Sequence, residues 1–343
     1  MISESQELGN LDVLRSLAVV FVVVSHLPFP FTKIFGAANY AVPALGRVGV
    51  LIFFVHTCFV LMLSLERQLL QYGERHLFGL FLLRRTLRIY PLSIVVVLSL
   101  FIYHYSSFMN PSHLKLLLSN LLLIQNLTGY TSIPAALWTL PFELQMYIFL
   151  PILYLLVYRL KLFSPFLLIG LWFLSVFLAI SLWRLNFPFS YSIYRLIRFF
   201  PCFLSGVLAF SLNNRFKIRS PIFLFFYVFT MALFFPYAVA HGVKENPISW
   251  PACLILGAMI SLCVEIQKGW VTQLGKIVAR YSYGIYLVHT PCINFCFRYW
   301  NGNPFLQWNA CLLGICLFSF AAYHIIEKPG IKFASNLMRQ WAN

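Results

Sequence analysis

Residues 11–26 read LDVLRSLAVVFVVVSH, an almost unbroken apolar run that carries one Asp, one Arg and one His. With the apolar residues that follow it, the run reaches the roughly 20 residues that a helix needs to cross a bilayer. Ionisable side chains inside such a helix cost about 2.5–3.5 kcal/mol each on insertion scales, so they are functional candidates by default. The run therefore predicts a membrane-spanning helix that carries functional groups.

The rest of the chain has the same apolar character. Of its 343 residues 61% are hydrophobic and only 10% are charged, whereas soluble domains carry about a quarter charged residues. So few charges cannot cover a water-facing surface, which excludes a soluble enzyme, a secreted disulfide scaffold and a disordered chain. We predict an all-α polytopic membrane helix bundle with about ten transmembrane helices, over residues 11–30, 48–66, 91–107, 138–158, 164–184, 196–213, 220–240, 250–267, 282–299 and 306–325.

The net charge of +16 has an explanation in membrane topology. On the predicted topology sixteen Lys and Arg residues fall on one side and six on the other. Cytoplasmic loops are the ones enriched in these residues, so both termini are predicted to be cytoplasmic. The basic balance therefore indicates a lipid bilayer as partner and no nucleic acid.

No segment is long enough to form a second, soluble domain. We predict a single transmembrane domain over residues 1–343, with cytoplasmic tails at 1–10 and 327–343. The stretch 114–127 is apolar but short, which favours a re-entrant or interfacial helix over an eleventh span. The longest cytoplasmic connection is predicted at 67–90, along the membrane surface.

Three ionisable residues of the first predicted span fall on one stripe. Asp12 and Arg15 are three positions apart, so they can pair on one helix face. His26 follows Arg15 by eleven positions, which returns to within about 20° of the same face, about 16 Å further along the axis. We favour a functional stripe of Asp12, Arg15 and His26. The alternative is an interfacial ion pair together with a packed histidine.

A second candidate site lies in WTLPFELQMYIFLP, where Glu143 is the one carboxylate. A carboxylate inside a membrane needs a partner of opposite charge or a hydrogen-bond donor. Arg15 and His26 are candidate partners, as are Arg195 and Arg198. The alternative is a salt bridge that only packs helices together.

A third cluster is RRTLRIYP, with Arg84, Arg85 and Arg88. Arg85 and Arg88 share a face if the segment is helical, and planar guanidinium groups at that spacing suit bidentate contacts with phosphate. The alternative is ordinary anchoring of a cytoplasmic loop by positive charge.

These segments, in this order, resemble the acyltransferase-3 family of integral membrane O-acyltransferases. The resemblance runs from residue 9 to about 330 and rests on LDVLRSLAVVFVVVSH with its Arg–ten residues–His spacing, RRTLRIYP, WTLPFELQMY, FLSGVLAF, YSYGIYLVHTP and IEKP. GRVGVLIFFVHTCFV fits imperfectly, because Leu51, Thr57 and Cys58 stand where the family usually has Asp, Ser and Gly.

The resemblance implies transfer of an acyl group, most often acetyl, from cytoplasmic acyl-CoA to a hydroxyl of an extracytoplasmic carbohydrate. The acceptor would be a surface glycan or a lipid-linked sugar, and the location a bacterial cytoplasmic membrane. Acyl-CoA would be a donor substrate, with no permanently bound cofactor and no metal. His26 is then the expected general base, because a neutral imidazole suits proton abstraction near pH 7.

The other expected site residues follow from the same resemblance. Asp12 and Arg15 would set the electrostatics of the His26 helix, and Glu143 would orient His26 or bind the acceptor. Arg85 and Arg88 would hold the phosphates of CoA. The residues expected to contact the acceptor are Trp138, Tyr147, Tyr283 and His289, although for His289 a helix contact is an equal alternative.

Two functions of other classes fit the intramembrane charges. A proton- or solute-coupled transporter also carries them, although the inverted repeats common in transporters are not visible here. Binding of CoA distinguishes the two. A non-catalytic scaffold is the third interpretation, and it predicts that the buried charges tolerate neutral replacement.

Overall fold

A computed structural model describes residues 9–28, 38–105, 110–159, 165–184, 191–212 and 220–342. Every regular element in these ranges is helical, which confirms the all-α class. The α-helices are α1 (Gly9–His26), α2 (Ala38–Tyr72), α3 (Glu74–His104), α4 (Pro111–Leu121), α5 (Gln125–Thr128), α6 (Leu140–Arg159), α7 (Pro165–Arg184), α8 (Tyr191–Leu212), α9 (Ile222–Ala240), α10 (Glu245–Leu262), α11 (Trp270–Asn294), α12 (Pro304–Ala322) and α13 (Lys328–Ala342). A 3₁₀ helix covers Ala135–Thr139, and π-helical turns cover Phe295–Tyr299 and Tyr323–Glu327.

Several of these helices are long and apolar enough to cross a membrane, which confirms a polytopic bundle. The described part of the chain contains seven such segments: Gly9–His26, Val42–Tyr72, Glu74–His104, Ala135–Leu155, Pro165–Arg184, Ile222–Ala240 and Pro304–Gln340. Helices α8, α10 and α11 occupy the other three predicted spans. The count of ten and the cytoplasmic position of both termini stay predictions, and residues 1–8 of the predicted N-terminal tail lie outside the described residues.

The described residues fold into two compact units. The first unit comprises Met1–Val60, Ser164–Val176 and Phe200–Ser282, and the second comprises Leu61–Phe163, Phe177–Phe199 and Tyr283–Asn343.

Close helix packing in the first unit depends on small residues. A Cβ atom added to Gly49 of α2 would lie 2.5 Å from the carbonyl oxygen of Ala18 in α1. One added to Gly275 of α11 would lie 2.8 Å from Cγ2 of Val13, also in α1. Helix α1 therefore packs against α2 and α11 at distances that a larger side chain would prevent.

In the second unit α2 and α3 form a hairpin with Gly73 as the single residue between them. Gly73 has a φ of 73°, which glycine adopts without the steric cost that other residues incur. Residues 67–90, predicted as one long connection between spans, instead continue the two helices, and their position along the membrane surface stays a prediction. Their Leu, Arg, Gln and Glu side chains are good helix formers, so charge near the membrane boundary did not mark a loop.

The segment predicted as a short re-entrant or interfacial helix at 114–127 contains α4 and α5. Neither helix is long enough to cross a bilayer. Asn120, which is fully buried, donates from Nδ2 to the carbonyls of Leu116 (3.0 Å) and Thr131 (2.9 Å). Its Oδ1 accepts from the backbone N–H of Ile133 at 2.8 Å. These bonds fix the chain between α4 and α6.

The predicted C-terminal tail at 327–343 is a packed helix. A π-helical turn joins α12 to α13, and Ala334 and Met338 of α13 are buried. A Cβ atom on Gly330 would lie 2.8 Å from the carbonyl oxygen of Leu87, which places α13 directly against α3. The amphipathic pattern of α13 explains why a charged segment still packs: its apolar stripe faces the protein.

Candidate functional site

Asn10, which is 1% exposed, ties the start of α1 to the segment after α10. Its Nδ2 donates to the carbonyl of Val264 (2.9 Å), and its Oδ1 accepts from the N–H of Ile266 (3.0 Å). Its backbone N–H donates to Oε2 of Glu265 at 2.9 Å. A carboxylate at a helix N-terminus is favoured by the exposed amides and the helix dipole there. The first turn of α1 is thereby fixed.

One turn further on, polar contacts join α1 to α11. Nε of Arg15 donates to Oγ of Ser282 at 2.6 Å, and the Ser282 hydroxyl donates to the carbonyl of Ala279. The hydroxyl of Ser16 lies 2.7 Å from the carbonyl of Gly275. The guanidinium therefore connects two of the sequence motifs, LDVLRS and YSYG, that are 267 positions apart.

His26 is the last residue of α1 and is exposed. Its Nδ1 lies 2.8 Å from the carbonyl oxygen of Val22. A carbonyl only accepts, so this hydrogen bond requires a proton on Nδ1 and leaves the lone pair of the neutral imidazole on Nε2. The ring is held to its own helix by Nδ1, and Nε2 is the atom suited to accept a proton.

The predicted stripe of Asp12, Arg15 and His26 is present on α1, but its members differ in surroundings. Asp12 and Arg15 are half-buried in the first two turns, whereas His26 is exposed at the opposite end. The sequence predicts a helix that extends over 11–30 with His26 inside it. The observed helix ends at His26, so the imidazole lies at the helix terminus.

In the second unit Glu143 lies in a cluster of tyrosines. The hydroxyl of Tyr147, one turn along α6, donates to Oε2 of Glu143 at 3.4 Å. The hydroxyl of Tyr283 donates to the carbonyl of Ile89 at 2.8 Å, and its ring is within electrostatic range of Glu143, Tyr147 and Glu327. The structure thus brings together three of the predicted site residues, Glu143, Tyr147 and Tyr283.

The 3₁₀ helix that precedes α6 is fixed by Tyr286 of α11. The Tyr286 hydroxyl donates to the carbonyl of Ala136 at 2.5 Å and lies 2.7 Å from the hydroxyl of Thr139. Trp138, between those two residues, contacts the ring of Phe142 edge-on at 6.2 Å between centroids. The motif WTLPFE is therefore held by the motif YSYGIY at the point where α6 begins.

Two candidate histidines are buried within helices. His289 has no exposed surface, and its Nδ1 donates to the carbonyl of Ile285 at 3.2 Å. His56 in α2 is 3% exposed. The burial of His289 agrees better with its helix-contact alternative than with direct access to an acceptor.

The arginine cluster of α3 separates by burial. Arg85 is 8% exposed, and its Cζ lies 5.6 Å from the centroid of the Phe81 ring. Arg88 is partly exposed, and Arg84 is within electrostatic range of both Arg88 and Arg67 of α2. Three arginines therefore concentrate positive charge along the hairpin, while Arg85 lies under the surface against an aromatic face.

The partners proposed for Glu143 are only partly defined. Arg198 of α8 has its Cζ 5.3 Å from the centroid of the Phe199 ring. The side chain of Arg195 lies outside the described residues. Arg15 belongs to the first unit, where its Nε bonds to Ser282.

Sequence reasoning missed three residues of these clusters. Glu327 was assigned to a cytoplasmic tail, yet it is 2% exposed, because the π-helical turn carries it back into the helix packing. Arg67 was counted only as a positive charge in a loop, and Ser282 only as part of a motif. The motif IEKP, with a carboxylate directly after an apolar helix, was the available signal for Glu327.

Metal-binding groups are absent from the described residues: no cluster of three or more His, Cys, Asp or Glu side chains is placed to hold an ion. The eight cysteines are free thiols, and all except Cys316 are buried.

Comparison with known proteins gives one match. The model of the acyltransferase-3 family, described as an acyltransferase domain, matches residues 8–324. No curated protein and no solved structure matches the chain.

Proposed function

This chain belongs to the acyltransferase-3 family, and we propose on that premise that it transfers an acyl group, most simply acetyl, from cytoplasmic acyl-CoA to a hydroxyl of an extracytoplasmic carbohydrate. The acceptor is a surface glycan or a lipid-linked sugar, and the protein acts in a bacterial cytoplasmic membrane. Family membership identifies a membrane acyltransferase, which favours acyl transfer over the transporter and scaffold interpretations.

The observation that carries the proposed chemistry is the geometry of His26. A thioester is already activated, whereas a hydroxyl is a weak nucleophile and needs a base. With Nδ1 donating to Val22, Nε2 of His26 takes the hydroxyl proton as the acceptor oxygen attacks the thioester carbonyl. The C–S bond then breaks, and the departing CoA sulfur takes that proton. Arg15 and Asp12 act at a distance, through the position and field of α1.

For the acceptor we propose the cluster around Glu143. Tyr147 and Tyr283 supply hydroxyl groups beside the carboxylate, so the cluster offers both donors and acceptors to a sugar hydroxyl. Trp138 supplies an aromatic surface at the start of α6. His289 contributes by fixing α11, on which Tyr283 lies.

For the donor we propose the arginines of the α2–α3 hairpin. Arg88 is the partly exposed member of the predicted pair and contacts the phosphates of CoA. Arg84 and Arg67 add to the positive potential there. Arg85, which is buried, supports this face through its contact with Phe81.

The test is His26→Ala in purified protein reconstituted in nanodiscs with acetyl-CoA and candidate glycan acceptors. Loss of a general base lowers kcat/KM by about 10²- to 10⁴-fold. His241→Ala is a matched control, because His241 is also exposed at a helix end and its Nδ1 lies 2.8 Å from the carbonyl of Tyr237. Product would be quantified by mass spectrometry of the acceptor.

The base assignment predicts that only His26→Ala loses turnover, with both variants equally folded. Equal activity of the two variants would exclude His26 as the base. Equal loss in both would attribute the effect to the end of a helix and not to catalysis.

A further inference from the structure

The second unit contains a cavity of about 760 Å³ that the proposed reaction does not use. It lies between the C-terminal half of α3, the segment before the 3₁₀ helix, the end of α11 with its π-helical turn, and α12. That volume is within the range of roughly 300–1,000 Å³ found for ligand sites.

The two ends of this cavity differ in chemistry. Leu92 and Val95 of α3 and Ile325 beyond α12 line one end, which is apolar. His104 of α3 and Asn294 of α11 line the other. Leu92 and His104 are about 18 Å apart along α3, at about 1.5 Å per residue. The cavity therefore has the length and polarity gradient of an amphiphile.

The polar end has the features of a membrane–water boundary. Tyr103 and Tyr299 are 63% and 51% exposed, and their rings meet edge-on at 6.2 Å between centroids. Tyrosine is enriched at that boundary because one end of its side chain is apolar and the other is polar. The headgroup of a bound amphiphile would lie beside this pair of rings.

The cavity opens sideways onto an apolar surface. Phe318 and Ile325 on its wall are 62% and 72% exposed, whereas Leu92 and Ala322 on its floor are buried. Helices α3 and α12 belong to segments apolar enough to cross a membrane. The opening therefore faces hydrocarbon, and a ligand enters from the bilayer.

One buried polar atom indicates that the ligand carries oxygen as well as hydrocarbon. Thr290 of α11 lines the cavity and is 7% exposed, and within the described residues its Oγ1 has no hydrogen-bond partner. Buried hydroxyls are nearly always hydrogen-bonded, so a ligand oxygen would satisfy this hydroxyl once the Thr290 side chain turns it toward the cavity.

The lining also defines the charge of the ligand. Among the described residues its polar side chains are hydroxyl, amide, imidazole and thiol groups, without Lys, Arg, Asp or Glu. An anionic headgroup would have no Lys or Arg of this lining to pair with, whereas sugar hydroxyls match its neutral donors and acceptors. We propose that the cavity binds a neutral glycolipid, with its chain between α3 and α12 and its sugar at the Tyr103–Tyr299 end. The binding assignment is independent of the proposed function, which places the reacting sugar at the Glu143 cluster.

The experiment uses an alkyl glucoside with a diazirine in its alkyl chain, photolysed with the full-length protein in phosphatidylcholine nanodiscs. We expect saturable labelling of α3 and α12 residues that line the cavity, competed by unlabelled alkyl glucoside. A diazirine-tailed phosphatidylcholine is the second probe, and it should label exposed faces without saturation.

Three variants make the test specific. Gly314→Phe fills the cavity, since a Cβ on Gly314 meets only the Cys292 Sγ (3.5 Å) and the Phe318 ring (4.0 Å). Leu313→Phe is its matched control, because Leu313 is on the same helix, 58% exposed and not in the lining. Thr290→Val removes the hydroxyl at nearly constant volume, and it should weaken glucoside labelling roughly three- to tenfold.

Labelling that Gly314→Phe abolishes and Leu313→Phe preserves supports the proposal. Non-saturable glucoside labelling, labelling unchanged in Gly314→Phe, or saturable labelling of the same residues by the phosphatidylcholine probe would overturn it. The proposed function can fail separately. Saturable glucoside binding without acyl transfer to any acceptor would support the binding site and contradict the proposed acyl transfer. Conversely, acyl transfer to soluble glycans that is unchanged in Gly314→Phe, together with no glucoside labelling, would support the proposed function and contradict the binding site.

Discussion

Two arginines three positions apart on α3 illustrate how residue position sets the role of a charge. Arg85 is 8% exposed and lies against the ring of Phe81, whereas Arg88 is partly exposed beside Arg84. A guanidinium group can pack on an aromatic ring or bind a phosphate, but only an arginine that solvent reaches is available to a ligand. Arg88 is therefore the residue whose loss should affect the donor.

We expect Arg88→Ala to weaken binding of acetyl-CoA by roughly tenfold, because a charge-assisted hydrogen bond to phosphate is lost. Isothermal titration of the nanodisc-embedded protein would measure this affinity. Raising the ionic strength should weaken acetyl-CoA binding to the native protein more than binding to the variant, because salt screens exposed charges.

Arg339→Ala is the control for that titration, because Arg339 is also an exposed arginine but lies on a different helix, near the end of α13. An equal loss of affinity in both variants would indicate general attraction by a positive surface. Unchanged binding in Arg88→Ala would remove the arginine from the donor site.

At the scale of helices, close backbone approach explains where glycine is required. In the first unit a Cβ on Gly206 of α8 would lie 2.6 Å from Cβ of Cys58 and 2.9 Å from the backbone N of Phe59, both in α2. Backbone atoms cannot move aside as a flexible side chain does, so the two helices would have to separate. By contrast, Gly79 of α3 has no atom within 4 Å of an added Cβ.

Gly206→Ala should therefore lower the free energy of unfolding by about 1–3 kcal/mol, the usual cost of overpacking. Gly79→Ala should be neutral or stabilising by up to about 1 kcal/mol, because alanine favours an exposed helix position. Thermal unfolding in one detergent would compare the two variants with the native protein. Equal stability of both variants would contradict the packing between α8 and α2.

For the whole chain, the exposed apolar surface and the distribution of charge both indicate a protein that lies in a lipid bilayer. Large side chains are strongly exposed on several helices, including Phe166 (84%), Phe226 (69%) and Phe305 (73%). In water such surface would cause aggregation, whereas in a bilayer it faces lipid. The excess of Lys and Arg, 25 against nine Asp and Glu, predicts the orientation of the helices in that bilayer.

The predicted orientation can be measured with single cysteines at two exposed positions, Arg75→Cys beside the α2–α3 turn and Thr128→Cys at the end of α5. Cys316, the exposed native thiol, would first be replaced by Ser. A membrane-impermeant maleimide should label Thr128→Cys on intact cells and Arg75→Cys only after permeabilisation. The opposite pattern would reverse the predicted sides of the membrane.

The sequence alone was enough to predict the properties that depend on neighbouring residues. Hydropathy and charge density are sums over neighbouring residues, so the all-α membrane class followed from the composition and apolar runs. The spacing of Arg15 and His26, together with RRTLRIYP and WTLPFE, carried the resemblance to the family that residues 8–324 match. The short turn at Gly73 within 67–90 was not predicted, because charge near a helix end resembles a long connection.

The sequence alone did not predict contacts between residues that are far apart along the chain. The bond from Arg15 to Ser282, the burial of Arg85 and Glu327, and the cavity beside Thr290 all depend on which helices become neighbours. Each helix can present several faces to a partner at similar local cost, and only the packing of the complete chain selects one. The sequence by itself determined which chemical groups the protein carries, and the packing of the helices determined which of them are buried and which contact one another.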